Sequence, residues 1–225
     1  SSDLPTLPIH QLRILMTAAD AAFQANSTNA MSNEQMKCTL LYDESEVFYD
    51  AGVHFQGSER GRDNPDRRGF TVYFPPDHLF RGVHNSVSLD RSGGYSGVGG
   101  RHDEIVVKHA LNKAGGIPGM YDDLAYCIAP RRAETSTSLL IMAKYNSDFL
   151  DSQYENGAEG SMFKLELIYY PTTTLPAGNP QGFKLPQPDD VLGTDIGFLG
   201  DDKEGYRWNF LHENNAEKEI GRAHV

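Results

Sequence analysis

The sequence predicts an α+β fold in which β-strands dominate the first half of the chain. Short runs of apolar and β-branched residues alternate there with turns, as expected of strands with one buried face. An amphipathic helix follows a glycine-rich segment near the middle, and a long loop rich in proline and glycine is predicted from Pro171 to Asp190. With 225 residues, 39% of them hydrophobic and 23% charged, the chain can bury one sizeable core.

The predicted strands are apolar clusters of strand length. Side-chain alternation is clearest at Val53–Gln56 and at Phe70–Phe74, which favours strands with one face in a core. The predicted strands are Leu12–Thr17, Cys38–Tyr42, Val47–Phe55, Phe70–Phe74, Val87–Leu89, Leu124–Ala129, Ser138–Tyr145 and Met162–Tyr170.

Four helices are predicted. The strongest begins near Asp103 and Glu104, whose negative charges suit a helix N-terminus. Its apolar residues recur at helical spacing, and the glycines and proline after Ala114 end it. The apolar stripe is Val107, Ala110, Leu111 and Ala114, and the other predicted helices are Ala18–Asn26, Asp148–Gln153 and Lys203–Glu217.

Both ends of the chain resemble translated cloning sequence. Residues 220–225 match one reading frame of a common sequencing-adapter oligonucleotide, and residues 1–4 match the opposite adapter. Such segments are excluded from fold reasoning. We therefore expect residues 1–4 and 219–225 to be adapter artefacts and the natural sequence, from Pro5 to about Lys218, to be cut at both ends.

The charge balance bears on the class of partner. The formal net charge of -11 argues against nonspecific binding to nucleic acid or anionic membranes, because both require clustered Lys and Arg. No apolar run approaches the roughly 20 residues that span a bilayer. The cysteines, Cys38 and Cys127, match no metal spacing, so we expect two buried thiols, or a disulfide if the protein is exported.

Two glycine-containing segments are candidates for binding an anion. Gly93–Gly100 precedes a helix, where backbone N–H groups can hold phosphate, although a surface loop is the favoured interpretation. Gly57–Arg62 and the following Arg67 and Arg68 place guanidinium groups between two strands, where Arg suits bidentate phosphate contact. On the residues alone, a solvated hairpin with ion pairs to Asp63 and Asp66 is the favoured interpretation of this segment. Neither the histidines nor the acidic residues have a recognised metal-ligand spacing.

Several short motifs follow one another along nearly all of Pro5 to Lys218. They are a strand ending in a glycine turn (Gly52–Ser58), a basic-aromatic strand (Arg67–Phe74), Leu79–Val83 leading into Ser86–Leu89, a helix ending in Ala114–Pro118, and the strand start Met162–Lys164. Each motif is short, but their colinear order resembles that of the spore-coat-protein-H (CotH) kinase family.

The resemblance implies a particular fold and activity. Residues 5–145 would form a β-rich, protein-kinase-like N-lobe with an αC-like helix, and residues 146–218 would form a linker, a long loop and the start of a C-lobe. The parent protein would transfer phosphate from ATP, with Mg²⁺, to Ser or Thr of a protein substrate. It would be exported or lie at the cell surface.

The resemblance also assigns residues of half a nucleotide site. Arg68 would take the place of a basic residue, usually Lys, that contacts ATP phosphates, and Glu104 would be the carboxylate that orients it. Gly57 and Ser58 would lie in the turn nearest the nucleotide. The family's catalytic and metal-binding segment is expected after residue 217, so the resemblance implies that this chain alone is inactive. The alternative is a noncatalytic surface or structural module on the same scaffold.

Overall fold

A computed structural model gives the fold of the chain. The structure describes residues 9–27, 29–30, 32–57, 62, 65–90, 103–115, 119–120, 122–135, 140–156, 159, 162–165, 201 and 210–214. These residues divide into two compact units, one formed by residues up to Lys144 and the other by residues from Tyr145 onwards.

The first unit is a closed β-barrel, built in its described part from seven strands. Their order around the barrel is β1, β2, β3, β4, β5, β7, β6, after which β6 pairs with β1 and closes the sheet. The strands are β1 (His10–Leu15), β2 (Met36–Tyr42), β3 (Glu46–Gln56), β4 (Gly69–Tyr73), β5 (Ser86–Asp90), β6 (Asp122–Ile128) and β7 (Leu140–Ala143).

The closing pair differs in direction from the other barrel pairs. Strand β1 runs parallel to β6, with Leu12 opposite Cys127, whereas the other neighbours in the barrel are antiparallel. A parallel pair cannot be joined by a tight hairpin and needs a long connection. Here the rest of the barrel is that connection, so closure depends on strands far apart in sequence.

Alternate side chains of the barrel strands point inward and fill the interior. They form one buried cluster in which bulky residues are almost fully covered. A barrel of this size is expected to be packed with side chains rather than to hold an open lumen. The largest contributors are Leu12, Ile14, Leu40, Phe48, Val53, Phe55, Phe70, Val72, Phe80 and Leu89.

The predicted α+β, kinase-like N-lobe is wrong, because the strands assigned to that lobe close into a barrel. The strand positions agree with the alternation in the sequence, but their partners do not follow from it. Pairing of β1 with β6 is what turns an open arrangement of strands into a closed one. The helix taken as αC-like is present at Asp103–Ala114, but in a barrel it has no such role.

Two α-helices are described over their length in the first unit. Helix α1 (Ala18–Ala25) is capped by the Thr17 side chain, which accepts a hydrogen bond from the Asp20 amide at 3.1 Å. In helix α2 (Asp103–Ala114) the predicted apolar stripe is not the buried face, since Val107 is 56% exposed. Instead Lys108 turns toward the barrel and pairs with the buried carboxylate of Asp122 at 2.8 Å.

The described part of the second unit contains one helix and two strands. Helix α3 (Ser147–Gln153) is capped by the Asn146 side chain. Strands β8 (Met162–Leu165) and β9 (Phe210–Asn214) pair antiparallel. The predicted helix at Lys203–Glu217 is therefore wrong over Phe210–Asn214, and the predicted loop at Pro171–Asp190 lies outside the described residues. None of the helices described is long and apolar enough to cross a membrane.

Candidate functional site

A groove on the outside of the barrel has a volume of about 760 Å³. This volume lies within the range of ordinary ligand sites. One wall comes from β3, the other from the end of β4 and the loop after it. The groove is lined by Gln35, Tyr49, Asp50, Gly52, Tyr73, Phe74, Pro75, Pro76, Asp77 and His78.

A β-bulge in β3 forms the first wall. Cys38 of β2 pairs with Ala51 and Leu40 pairs with Phe48, so Tyr49 and Asp50 together lie opposite a single residue of β2. The extra residue interrupts the alternation of β3 and leaves two successive side chains exposed. The Tyr49 ring is 69% exposed. Bulges commonly redirect side chains beside functional sites.

The bulge holds Asp50 in a left-handed backbone conformation, with φ of +54°. This region is unfavourable for a residue with a Cβ atom, although Asp tolerates it better than most. Strain of this kind costs on the order of 1 kcal/mol and clusters at functional sites. A regular strand has negative φ, so the left-handed conformation of Asp50 is specific to the bulge.

A proline turn forms the second wall. The His78 amide donates to the Pro75 carbonyl oxygen at 3.0 Å, which closes a turn over Pro75–His78. Pro76 at the second position of this turn presets the backbone angle. The His78 ring lies over Phe48 with 4.4 Å between ring centroids, and its Nε2 atom lies 3.2 Å from Oε1 of Glu46.

Tyr73 and Gly52 form the base of the groove. The hydroxyl of Tyr73 lies 3.1 Å from Nε2 of His54, and burial raises the pKa of the phenol against a smaller opposite effect of Arg62. Tyr73 therefore stays protonated and neutral at physiological pH. A Cβ atom at position 52 would lie 2.4 Å from Oε1 of Gln35, so the absence of a side chain at Gly52 lets Gln35 lie against β3.

The groove is acidic. Asp50 and Asp77 are both exposed, and within the part of the chain that the structure describes neither has an ion-pair or hydrogen-bond partner for its carboxylate. The lining contains no Lys or Arg. Two uncompensated carboxylates beside exposed aromatic surface favour a cationic group on the ligand.

A second polar cluster, at one rim of the barrel, is internally compensated. Nδ1 of His10 lies 2.7 Å from Oδ2 of Asp43, and Nε2 of His10 lies 3.8 Å from Oδ2 of Asp123. Arg81 pairs with Asp123 at 2.8 Å and donates to the Tyr42 hydroxyl at 2.9 Å. Each charged group already has a partner, so this cluster joins barrel segments and offers less to a ligand than the groove does.

The structure places Arg68 inside the protein. Its side chain is 3% exposed and pairs with Glu134, which is 2% exposed. The Arg68 Nε atom donates to the Arg62 carbonyl oxygen at 2.7 Å, and its guanidinium lies 4.4 Å from the Phe55 ring centroid. Arg131 also donates to Glu134, at 3.1 Å. This arrangement of Arg68 does not favour a phosphate contact, and the binding of ATP and Mg²⁺ stays a prediction.

The other predicted nucleotide residues are only partly described. Gly57 has φ of +91°, and its carbonyl oxygen accepts a hydrogen bond from Nε of Arg62 at 2.7 Å. Burial lowers the pKa of Arg62 to about 10. Ser58 lies outside the described residues, and for Glu104 only its place in helix α2 is described. The proximity of Arg68 and Glu104 therefore stays a prediction, as do the role of Gly57 and that of the Gly93–Gly100 loop, which is also outside the described residues.

Sequence reasoning missed the groove altogether. The bulge arises from a pairing register, which no local pattern reveals. Two features of the sequence point to the groove. The polar residues Tyr49 and Asp50 interrupt an otherwise apolar strand, and the pair Pro75–Pro76 follows shortly after β4.

The fold and groove define a β-barrel unit with an acidic, aromatic outer surface, and comparison with known proteins adds no family. No protein-family model matches the chain, and no curated protein matches it. The resemblance to the CotH kinase family therefore stays a prediction. Among the described residues, no group of three or more His, Cys, Asp or Glu side chains is arranged to hold a metal ion.

Proposed function

We propose that the barrel unit is a noncatalytic binding module that holds its ligand in the outer groove. The observation that carries the proposal is the β3 bulge, which exposes Tyr49 beside the left-handed Asp50. An exposed aromatic ring and a strained carboxylate on a rigid strand are features that binding uses and that folding does not require.

Two further observations support a binding role on the outside of the barrel. The interior is filled by bulky side chains, so a ligand has to bind elsewhere. Arg68, which the kinase interpretation would place on ATP phosphates, is buried and paired with Glu134. Through this pair, Arg68 connects the end of the Pro65–Arg67 turn to the Arg132–Glu134 turn.

The test is a binding screen of the intact chain by fluorescence polarisation. The probes are short labelled peptides of basic, acidic and neutral composition, a labelled soluble glucan, and a labelled ATP analogue with Mg²⁺. We expect a peptide or glucan probe to bind and Tyr49→Ala to weaken its binding by about tenfold, as for a central aromatic contact. Tyr126→Ala is the matched control, because Tyr126 is an exposed tyrosine on β6 outside the groove. Binding that is insensitive to Tyr49→Ala, or binding of the nucleotide probe alone, would contradict the proposal.

A further inference from the structure

We infer that the ligand of the groove is an extended, proline-containing protein segment whose Lys or Arg side chain binds between Asp50 and Asp77. This inference rests on the proposed binding role of the groove and specifies its occupant. It combines the charge of the lining with the kind of apolar surface beside that charge.

The negative charge of the groove favours a ligand with a positively charged group. Asp50 and Asp77 face solvent without partners in the described part of the chain, and the lining has no basic residue to neutralise them. His78 is already placed against Glu46. The net charge of -11 adds a long-range attraction for a basic partner, which speeds association at low salt.

The apolar surface suits a segment with proline. Tyr49 and Tyr73 line the groove, with Tyr49 69% exposed, and Pro75 and Pro76 add rigid apolar surface to the lining. Aromatic grooves of this kind bind extended polyproline II segments, which lose little conformational entropy because they are already extended. A Lys or Arg within reach of the exposed Tyr49 ring also gains a cation–π contact.

The experiment compares two labelled synthetic peptides on the intact chain: one with alternating prolines and a terminal pair of arginines, and the same peptide with glutamates in place of the arginines. We expect the arginine peptide to bind at least about tenfold more tightly.

Variants of the chain test the two carboxylates. Asp50→Asn and Asp77→Asn should each weaken binding of the arginine peptide by about two- to fivefold, the range of an exposed ion pair, and added salt should weaken this binding further. Asn at position 50 keeps the tolerance of a left-handed backbone, so this variant separates charge from fold. Asp151→Asn, an equal loss of charge on helix α3, should leave binding unchanged.

The outcomes separate the inference from the proposed function. Equal binding of the two peptides would overturn the inference. Binding of a soluble glucan that is lost in Tyr49→Ala would also overturn it, while the proposed binding role would stand. If no probe depends on Tyr49, the inference and the proposed function both fail.

Discussion

The left-handed backbone of Asp50 predicts that glycine at this position stabilises the protein. Glycine adopts φ near +54° without the Cβ penalty, so Asp50→Gly should raise the free energy of unfolding by about 0.5–1 kcal/mol. Urea denaturation followed by circular dichroism measures this change. Asp77→Gly is the control, because it removes a neighbouring carboxylate from a residue without positive φ and should give no gain. A loss of stability in Asp50→Gly would mean that the carboxylate itself supports the fold.

The Arg68–Glu134 pair predicts a large loss of stability when one partner is removed. Arg68→Met leaves the buried Glu134 carboxylate with fewer partners, and a change of this kind costs about 3–5 kcal/mol. Adding Glu134→Leu should recover part of the loss, because it removes the poorly compensated charge. Urea denaturation of the single and double variants measures both steps. A single-variant loss below about 1 kcal/mol would contradict the structural role of the pair.

This pair also affects how nucleotide binding can be tested. Since Arg68 is nearly inaccessible, loss of ATP binding in a variant at this position would follow from unfolding as readily as from a lost phosphate contact. A nucleotide test therefore needs a stability measurement on the same variant.

At the scale of elements, the β2–β3 turn is held by charged groups. Asp43 and Glu44 both have positive φ, of 50° and 54°, as a type I′ hairpin turn requires. These residues are less suited to the turn than Asn-Gly, but Glu44 pairs with Arg13 at 2.6 Å and Asp43 with His10 at 2.7 Å. Both partners lie on β1, so the turn is attached to the strand that closes the barrel.

This turn predicts a pH dependence of stability. Burial alone would raise the pKa of Asp43, but hydrogen bonds from the Gln11 amide and from His10, with the nearby positive charges, lower it below the ordinary value of 3.8. The unfolded chain therefore binds the proton more readily. The stabilisation from Asp43 is fully present above about pH 5 and disappears as the pH falls through the lowered pKa.

Asp43→Asn tests this dependence, since Asn tolerates the left-handed turn but carries no charge. We expect the variant to be less stable than the natural sequence above about pH 5 and the difference to shrink toward pH 2. Urea denaturation across this range measures it. Asp77→Asn, which removes a carboxylate without a described partner, should shift stability little at any pH, and a constant difference for Asp43→Asn would contradict the assignment.

The strands were predictable from sequence because alternation is a local property. Phe70–Phe74 and Val53–Phe55 show it directly. Strand β4 contains Phe70–Tyr73, and β3 contains Val53–Phe55. The helix predicted at Lys203–Glu217 rests on an amphipathic pattern. It is wrong over Phe210–Asn214, because a run of five residues is too short to distinguish a helical period from a strand period. The β3 bulge, and with it the candidate site, depends on pairing with β2 and has no local signature.

At the scale of the whole molecule, the sequence did not reveal which strands pair with one another. The same succession of strands fits an open lobe or a closed barrel. The difference lies in the contact of His10–Arg13 with Ala125–Ile128, between residues more than a hundred positions apart. A resemblance based on the order of short motifs is equally insensitive to this contact, so it predicted a lobe.

The two thiols predict cooperative opening of the barrel. Cys38 and Cys127 are both free and buried, which is one of the two alternatives that the sequence left open, and burial raises each pKa to about 12. We expect both to resist a thiol reagent at neutral pH in the folded chain. Because β2 and β6 flank β1 in one closed sheet, both should become reactive at the same urea concentration, coincident with the loss of circular dichroism signal. Mass spectrometry of pulse-labelled chains separates the two sites, and labelling of one thiol well before the other would show that the barrel opens in stages.

The parallel contact between β1 and β6 also has a consequence for biosynthesis. Strand β1 leaves the ribosome before the other strands of the barrel and can pair with β2 soon afterwards, but its second neighbour, β6, is translated more than a hundred residues later. At ordinary elongation rates this delay is on the order of ten seconds. During that interval the apolar face of β1 is accessible to other nascent chains, so we expect the barrel to depend on chaperones during translation more than its size suggests.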